Sequence, residues 1–178
     1  MLKEKHAERY LLEVIQTNLP AVQLYTKQGF QIRREFSCFQ IDRKCLAQRA
    51  QYHAEQSDWM SPEQGKNFWD FEPSWQNSDA SVSAIPEAFS SIVVRAGDEA
   101  AGYGIIEKKT GDIPQFAVNP KFRRAGVGTS LVVGLTKYTE AEKIRVLNIE
   151  APQEAVSSFL ESLGFEYYVR QYEMSLPL

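Results

Sequence analysis

FAVNPKFRRAGVGTSLVV, residues 116–133, is the stretch on which the fold turns. Its first three residues are apolar and β-prone. Pro120 interrupts, and Lys121, Arg123 and Arg124 crowd the turn. Gly126-Val127-Gly128 then opens an apolar, helix-like run. A strand, a glycine turn and a helix N-terminus form a general anion holder: the first N–H groups of a helix lack intrahelical acceptors and lie at the positive end of its dipole. Gly126 and Gly128 allow close approach to that backbone, and the neighbouring cations favour a doubly charged diphosphate.

Two nucleotide patterns do not fit. A P-loop requires Gly-Lys-Ser/Thr, and here Gly128 is followed by Thr129-Ser130. A dinucleotide fingerprint requires a third small residue where Leu131 stands, and an early parallel βαβ unit. ATP and NAD are both disfavoured.

Upstream, SSIVVRAGDEAAGYGIIEKKTGDIPQFAV reads as successive antiparallel strands with turns at 96–98 and 110–112. Downstream come a helix over 126–139, a strand over 144–150, a helix over 154–163, Gly164-Phe165 and more extended chain. Residues 10–41 repeat that ending: a strand, a short amphipathic helix, Gly29-Phe30 and extended chain, with Gly29 and Gly164 135 positions apart. Both glycines stand where a helix C-terminus favours positive φ. So long a period implies duplicated domains rather than a solenoid. The first copy is preceded by only nine residues, and so small a piece cannot stand alone. It is expected to pack on the complete domain or on a neighbouring chain. Residues 43–56, rich in Ala, Gln and Arg, read as a helical linker. Ser57 and Asp58 are candidate caps, with Trp59, Phe68 and Trp69 for burial.

The spacing Val118-x-Pro120-x-x-Arg123-x-x-Gly126-x-Gly128 resembles the acyl-CoA-binding motif of the GNAT superfamily of N-acyltransferases, and the order of elements over 57–178 is similar to that fold. The resemblance implies an α/β class with a mixed, mostly antiparallel central sheet flanked by helices. The extra N-terminal strand-helix-strand half-domain, residues 1–42, resembles the C-terminal part of a second such domain. In the resembled fold, Phe116 and Val118 pair with pantetheine through their backbone. Arg124, Ala125, Gly126, Val127, Gly128 and Thr129 surround the diphosphate. Arg123 and Lys121 reach the adenosine phosphates, and Gln153 contacts pantetheine.

The resemblance implies transfer of an acetyl group from acetyl-CoA to an amine by direct attack in a ternary complex. A Tyr four positions before the Gly-Phe pair often reprotonates the thiolate in that family, and an Asn seven positions before it contacts the cofactor. The first copy has both, Tyr25 and Asn18, but not the glycine motif. The second has the motif, but Leu160 and Gln153 stand instead. Tyr103, Tyr167, solvent, or Tyr25 from the other copy are the open replacements. The alternative is an inactive acyl-CoA-binding domain, and a module for another nucleotide is a third option. Glu107 and Glu150 are the carboxylates at strand ends, and Asn148 shares a strand face with Glu150 by alternation. Phe68, Trp69, Phe71 and Trp75, among Asp70 and Glu72, either form an aromatic, acidic wall for a cationic amine or anchor helices.

Composition narrows the rest. The 178 residues are 43% hydrophobic and 24% charged, with net charge −3, which argues against general affinity for nucleic acid. No apolar run approaches the roughly 20 residues that span a bilayer, and the N-terminus lacks a signal-peptide core. Two cysteines make no disulfide framework, and two histidines suggest no metal cluster. A cytoplasmic, metal-free protein is expected. An amine acceptor is the expected partner, with the N-terminal half open to homodimer contacts.

Overall fold

The computed structural model describes residues 8–57 and 65–178. Asp58 and Trp59, candidates above, lie outside the described residues. Among those described, nine strands form two curled, mostly antiparallel sheets flanked by helices, in keeping with the expected α/β class. The first sheet has five strands in the spatial order β1 (Arg9–Ile15), β9 (Glu166–Pro177), β2 (Gln31–Asp42), β8 (Lys143–Glu150) and β6 (Asp112–Ile113). Its pairs are antiparallel except β6 with β8. The second sheet is fully antiparallel, in the order β3 (Ala54–Gln56), β4 (Phe89–Ala96), β5 (Glu99–Glu107) and β7 (Gln115–Val118).

The sheets part at Pro114, between β6 and β7. Proline has no N–H to continue the ladder beside β8, so the chain leaves that strand and pairs with β5 instead. The antiparallel turn between β4 and β5 falls where expected, with Gly97 at φ +65°.

The two copies of the repeat fold alike. α1 (Leu19–Lys27) opens with Asn18 Oδ1 accepting from Ala21 N at 3.3 Å. It closes on Gly29, φ +95°, with Phe30 N donating to Tyr25 O at 3.0 Å. The helix over Glu154–Ser162 closes on Gly164, φ +91°, with Phe165 N donating to Leu160 O at 3.1 Å. Between α1 and this helix lie α2 (Asp79–Ser83) and α3 (Val127–Leu135), so it is labelled α4.

The strands of the two copies interleave. β9 lies between β1 and β2, and β2 lies between β9 and β8. Gln31 faces Ser175 and Gln40 faces Glu166. With the repeat offset of 135, each of these pairs is the image of the other, so a local pseudo-two-fold axis passes between β2 and β9.

The expected helix over 43–56 is not there. A 3-10 turn at Arg43–Cys45 is followed by extended chain and β3. Tertiary partners override the helical propensity: Gln51 N and Tyr52 N both donate to Ser130 Oγ, at 3.0 and 3.1 Å, and β3 pairs with β4.

The main core lies where α3 and α4 cover the sheets. Leu131, Val132 and Leu135 of α3 meet Ile92, Ile106, Ile144 and Val146, with Leu160 of α4 beside them, all fully buried. α1 buries none of its residues.

Candidate active site

The departure at Pro114 leaves β7 as the edge of its sheet, splayed from β8. A cavity of about 510 Å³ opens between them. Asn119 N donates to Ala101 O at 2.9 Å. Alternation along an antiparallel strand then turns the backbone groups of Phe116 and Val118 away from β5 and toward the cleft.

The glycine turn closes one end of that cleft. Arg124 has φ +63° and Gly126 φ +86°, a left-handed pair that tilts successive amides to one side. Gly126 caps α3 without a side-chain cap, and the side-chain amide of Gln51 lies beside it. Among the described residues, no amide from Arg124 to Thr129 has a hydrogen-bond acceptor in the protein. Gly128 is also tight: a Cβ there would stand 3.0 Å from Cζ of Phe159. That ring lies across the cleft from Phe116, with centroids 6.1 Å apart.

Of the ten residues singled out for the cofactor, Phe116, Val118, Arg123, Arg124, Gly126, Gly128 and Thr129 line the cavity. Ala125, Val127 and Gln153 do not. Val127 is buried in the core, because the first turn of α3 presents it to the sheets. Gln153 directly precedes α4 and donates through Nε2 to Asp70 O at 3.4 Å. Arg123 is held by the protein itself: Nε donates to Val118 O at 3.2 Å, Nη2 to Phe68 O at 3.1 Å, and Nη1 pairs with Asp70 at 2.8 Å. Lys121 turns to Glu99, 2.9 Å away. Arg124, among the described residues, has no ion-pair partner.

The far end of the cavity is aromatic and polar. Tyr103 is 4% exposed; its hydroxyl accepts from Trp69 Nε1 at 2.7 Å and donates to Gln115 Oε1 at 2.8 Å. Gln115 passes the chain on to Asn77 O at 2.6 Å and Asp79 Oδ1 at 3.2 Å. Burial pushes the Tyr103 hydroxyl up to about 12, against the pull of the Trp69 bond. Trp69 and Phe71 line the cavity, whereas Phe68 packs into a second small core with Tyr103, and Trp75 stands 41% exposed. The aromatic run is therefore part wall and part anchor, and Arg123 neutralises Asp70.

The other sequence candidates are dispersed. Leu160 is fully buried and points into the core. Tyr25 packs edge-on against Phe30 at 5.8 Å, on the N-terminal copy, and Tyr167 against Phe39 at 6.2 Å; neither lines the cavity. Glu107 accepts from the amides of Thr110 at 2.6 Å and Lys109 at 3.3 Å. Partial burial would raise its carboxyl, but those bonds hold it below the usual range. Glu150 pairs with Arg34 at 3.3 Å. Asn148 is not at a solvated strand end: it is 1% exposed, with φ +62°, at a bulge opposite Cys38 that breaks the expected alternation with Glu150. Its amide Nδ2 donates to Glu13 Oε2 at 2.6 Å and Ser74 Oγ at 3.0 Å.

Sequence reading missed Gln115, Asn77 and Glu13. One signal for Glu13 was present: with the repeat offset of 135 it is the image of Asn148. Among the described residues, no group of three or more His, Cys, Asp or Glu could hold a metal. Likewise no described helix is long and apolar enough to cross a membrane.

Residues 60–175 match the family model described as an acetyltransferase (GNAT) domain. The chain belongs to the GNAT acetyltransferase family. Solved structures share the fold at low identity. A GCN5-related N-acetyltransferase from Sphaerobacter thermophilus aligns at 14% identity and TM-score 0.59, over 99% of this chain and 64% of that one. A tandem GNAT protein from the clavulanic acid biosynthesis pathway aligns at 16% and 0.65, over 99% and 66%. A conserved protein of unknown function from Staphylococcus epidermidis aligns at 15% and 0.62, over 97% and 74%. This GNAT chain thus spans less than two thirds of the length of the first two. A search of curated proteins gives no match.

Proposed function

We propose that the protein binds acetyl-CoA in the cleft between β7 and β8 and transfers its acetyl group to an amine by direct attack in a ternary complex. The observation that carries this is the set of unsatisfied amides from Arg124 to Thr129 at the mouth of α3. They fit a diphosphate, with Arg124 adding positive charge and only the flexible end of Gln51 standing beside Gly126. The backbone edge at Phe116 and Val118, turned from β5 and with Val118 O already accepting from Arg123, fits an amide-bearing arm such as pantetheine, and Arg123 frames the mouth. Acetyl-CoA supplies the activated acyl group. The chain's own residues orient it, exclude water and receive the amine.

For the acceptor, the lining of Trp69, Phe71 and Pro73 with a satisfied Asp70 favours an amine on an apolar body over a polycation. Tyr103 is the tyrosine of the wall, neutral at physiological pH. Its proton is held by Gln115, so reprotonation of the thiolate falls to solvent or to a rearranged Tyr103. That bond, with Leu160 buried in the core, supports the second proposal: a GNAT domain that binds acyl-CoA without turnover.

Parallel melts with acetyl-CoA, CoA and ATP test the site. A ligand at 100 times its dissociation constant stabilises by about 2.7 kcal/mol, and only the two CoA species should do so. Stabilisation by ATP alone would overturn the proposal. Thiol release over an amine panel then separates enzyme from binder.

We also propose that residues 1–42 descend from the end of a first GNAT unit, 43–56 connect, and 57–178 form the second; the pseudo-two-fold pairing of β2 with β9 supports this. A homodimer through the N-terminal half belongs to the same proposal, because Leu19 and Leu24 of α1 are 62% and 52% exposed. Sedimentation as a monomer at all concentrations would remove it. A cytoplasmic setting agrees with two free cysteines, one of them exposed.

A further inference from the structure

The acceptor side of the cavity is walled by residues 69–78, which contribute Trp69, Asp70, Phe71, Pro73 and Asn77. This segment has little regular structure beyond a 3-10 turn at Trp75–Asn77. Its position is therefore set by bonds from elsewhere, and these come from both sheets. On the β5–β7 side, Tyr103 takes the Trp69 indole, Arg123 pairs with Asp70 and Gln115 donates to Asn77 O. On the five-stranded side, Asn77 donates to Leu147 O at 3.3 Å, Asn148 donates to Ser74 Oγ at 3.0 Å, and Arg34 Nη1 donates to Glu72 O at 2.8 Å.

Two of these last three ties depend on β1 and β2, whose residues line no part of the cavity. Arg34 on β2 is aimed by Glu173: Nε and Nη2 hold its two oxygens at 2.9 and 2.8 Å, while Nη1 donates to Glu72 O at 2.8 Å and, more weakly, to Glu150 at 3.3 Å. The rigid guanidinium fork makes that geometry possible, whereas a lysine ammonium cannot span both acceptors in the same way. Glu173 is fully buried and the Arg34 side chain 10% exposed, so the fork is fixed. Glu13 on β1 accepts from Asn148 Nδ2 at 2.6 Å, and holds the amide that reaches Ser74. Its other oxygen, Oε1, is buried and meets no partner of hydrogen-bond geometry among the described residues.

We propose that Arg34 and Glu13 are positioning residues, through which β1 and β2 hold the acceptor wall of the C-terminal unit in place. The inference rests on the cavity being the transfer site, since misplacing a substrate by about 1 Å can cost about 100-fold in rate.

The test uses the full chain with Arg34→Lys, Glu13→Ala and Glu13→Gln, hydrogen exchange by mass spectrometry, and calorimetry with CoA. Arg34→Lys keeps a cation beside Glu173 and so protects folding. Glu13→Gln keeps an acceptor for Asn148. Exchange in peptides covering 68–78 should rise at least tenfold in Arg34→Lys and Glu13→Ala, and less than threefold in Glu13→Gln. Exchange over 126–135 and CoA affinity should stay within twofold of the parent. With benzylamine as acceptor, KM for the amine should rise while KM for acetyl-CoA stays put. Unchanged exchange over 68–78, or an equal rise over 126–135, overturns the proposal. If the parent chain fails to bind CoA, the functional assignment falls, while the exchange result still decides whether the N-terminal strands hold the wall.

Discussion

Substituting Gly126 with Glu separates backbone cost from ligand loss. Gly126 has φ +86°, and any side chain there pays left-handed strain of about 1–2 kcal/mol. A Cβ would also press on the Gln51 side-chain amide, a flexible end that can swing away. For a chain of this size 1 kcal/mol is worth about 2–4 °C, so the ligand-free melting temperature should fall by about 2–8 °C. Gly97→Glu is the matched control: φ is +65°, nothing lies within 4 Å of its Cβ, and the turn belongs to the β4–β5 hairpin. It should pay a similar cost.

The variants part when CoA is added at 100 times the parent dissociation constant. The parent and Gly97→Glu should each gain about 2.7 kcal/mol, or about 5–11 °C. In Gly126→Glu a carboxylate faces the amides meant for a diphosphate. A hundredfold loss of affinity leaves RT ln 2, about 0.4 kcal/mol, so the gain shrinks to about 1–2 °C. Scanning fluorimetry with and without CoA reads all of this. A shift of parental size in Gly126→Glu would show that the diphosphate does not meet this turn. Equal loss in both glycine variants would show that lowered stability alone weakens binding.

Tyr103→Phe strands the Trp69 indole and Gln115 Oε1, and should cost about 1–3 kcal/mol by denaturant titration. With the hydroxyl neutral well above physiological pH, the turnover profiles of parent and variant should keep the same shape between about pH 6 and 9. Arg34→Met leaves Glu173 buried with only Arg33, and should cost about 3–5 kcal/mol, read as a lowered denaturation midpoint. Burial would raise Glu173, but Arg34 and Arg33 overcome it and hold the carboxyl below its usual range. Its stabilisation is therefore present above the unfolded pKa of about 4.3 and is lost as pH falls through the folded value, a slope Arg34→Met should flatten. Glu13 has the opposite sign: burial raises it more than Ser74 and Asn148 lower it. Its contribution is present below about pH 4.3 and lost as pH rises through the raised value. The melting temperature of Glu13→Gln should thus gain on the parent from pH 4 to 7, and a constant gap would refute that.

What the sequence made legible was local chemistry. Gly29 and Gly164 announce helix ends because only glycine enters the left-handed region without strain, and both helices end there. The turn at Gly126 follows from residues adjacent in the chain, whereas Pro114, where the sheets part, drew no notice in the sequence. Residues 43–56 depart from their helical expectation for the opposite reason: their composition favours a helix, but the amides of Gln51 and Tyr52 are taken by Ser130, about 80 positions away. Asn77 and Gln115 were invisible for the same cause, and Glu13 was traceable only as the repeat image of Asn148. Each owes its place to a partner on another element, and nothing in a lone Glu or Gln tells which strand will bring it to a cavity. Asn148 shows the limit of periodicity, since one bulge opposite Cys38 broke the alternation with Glu150 and left Asn148 buried.

The interleaved strands separate ancestry from folding. A cut between residues 42 and 57 follows the repeat, yet it would strip β9 of both its neighbours, β1 and β2, and would leave β2 without β9 and β8. Domain boundaries ordinarily fall where few contacts cross, and here the best-paired strands of the sheet cross. The repeat therefore marks a likeness between two stretches of chain, whereas the folded unit is the pair of them around the pseudo-two-fold axis. That is why residues of β1 and β2, far from the glycine turn in sequence, sit directly behind the acceptor wall. An N-terminal segment joined to this sheet by a row of backbone hydrogen bonds on each side of β9 cannot be removed without reshaping the cleft beside β8.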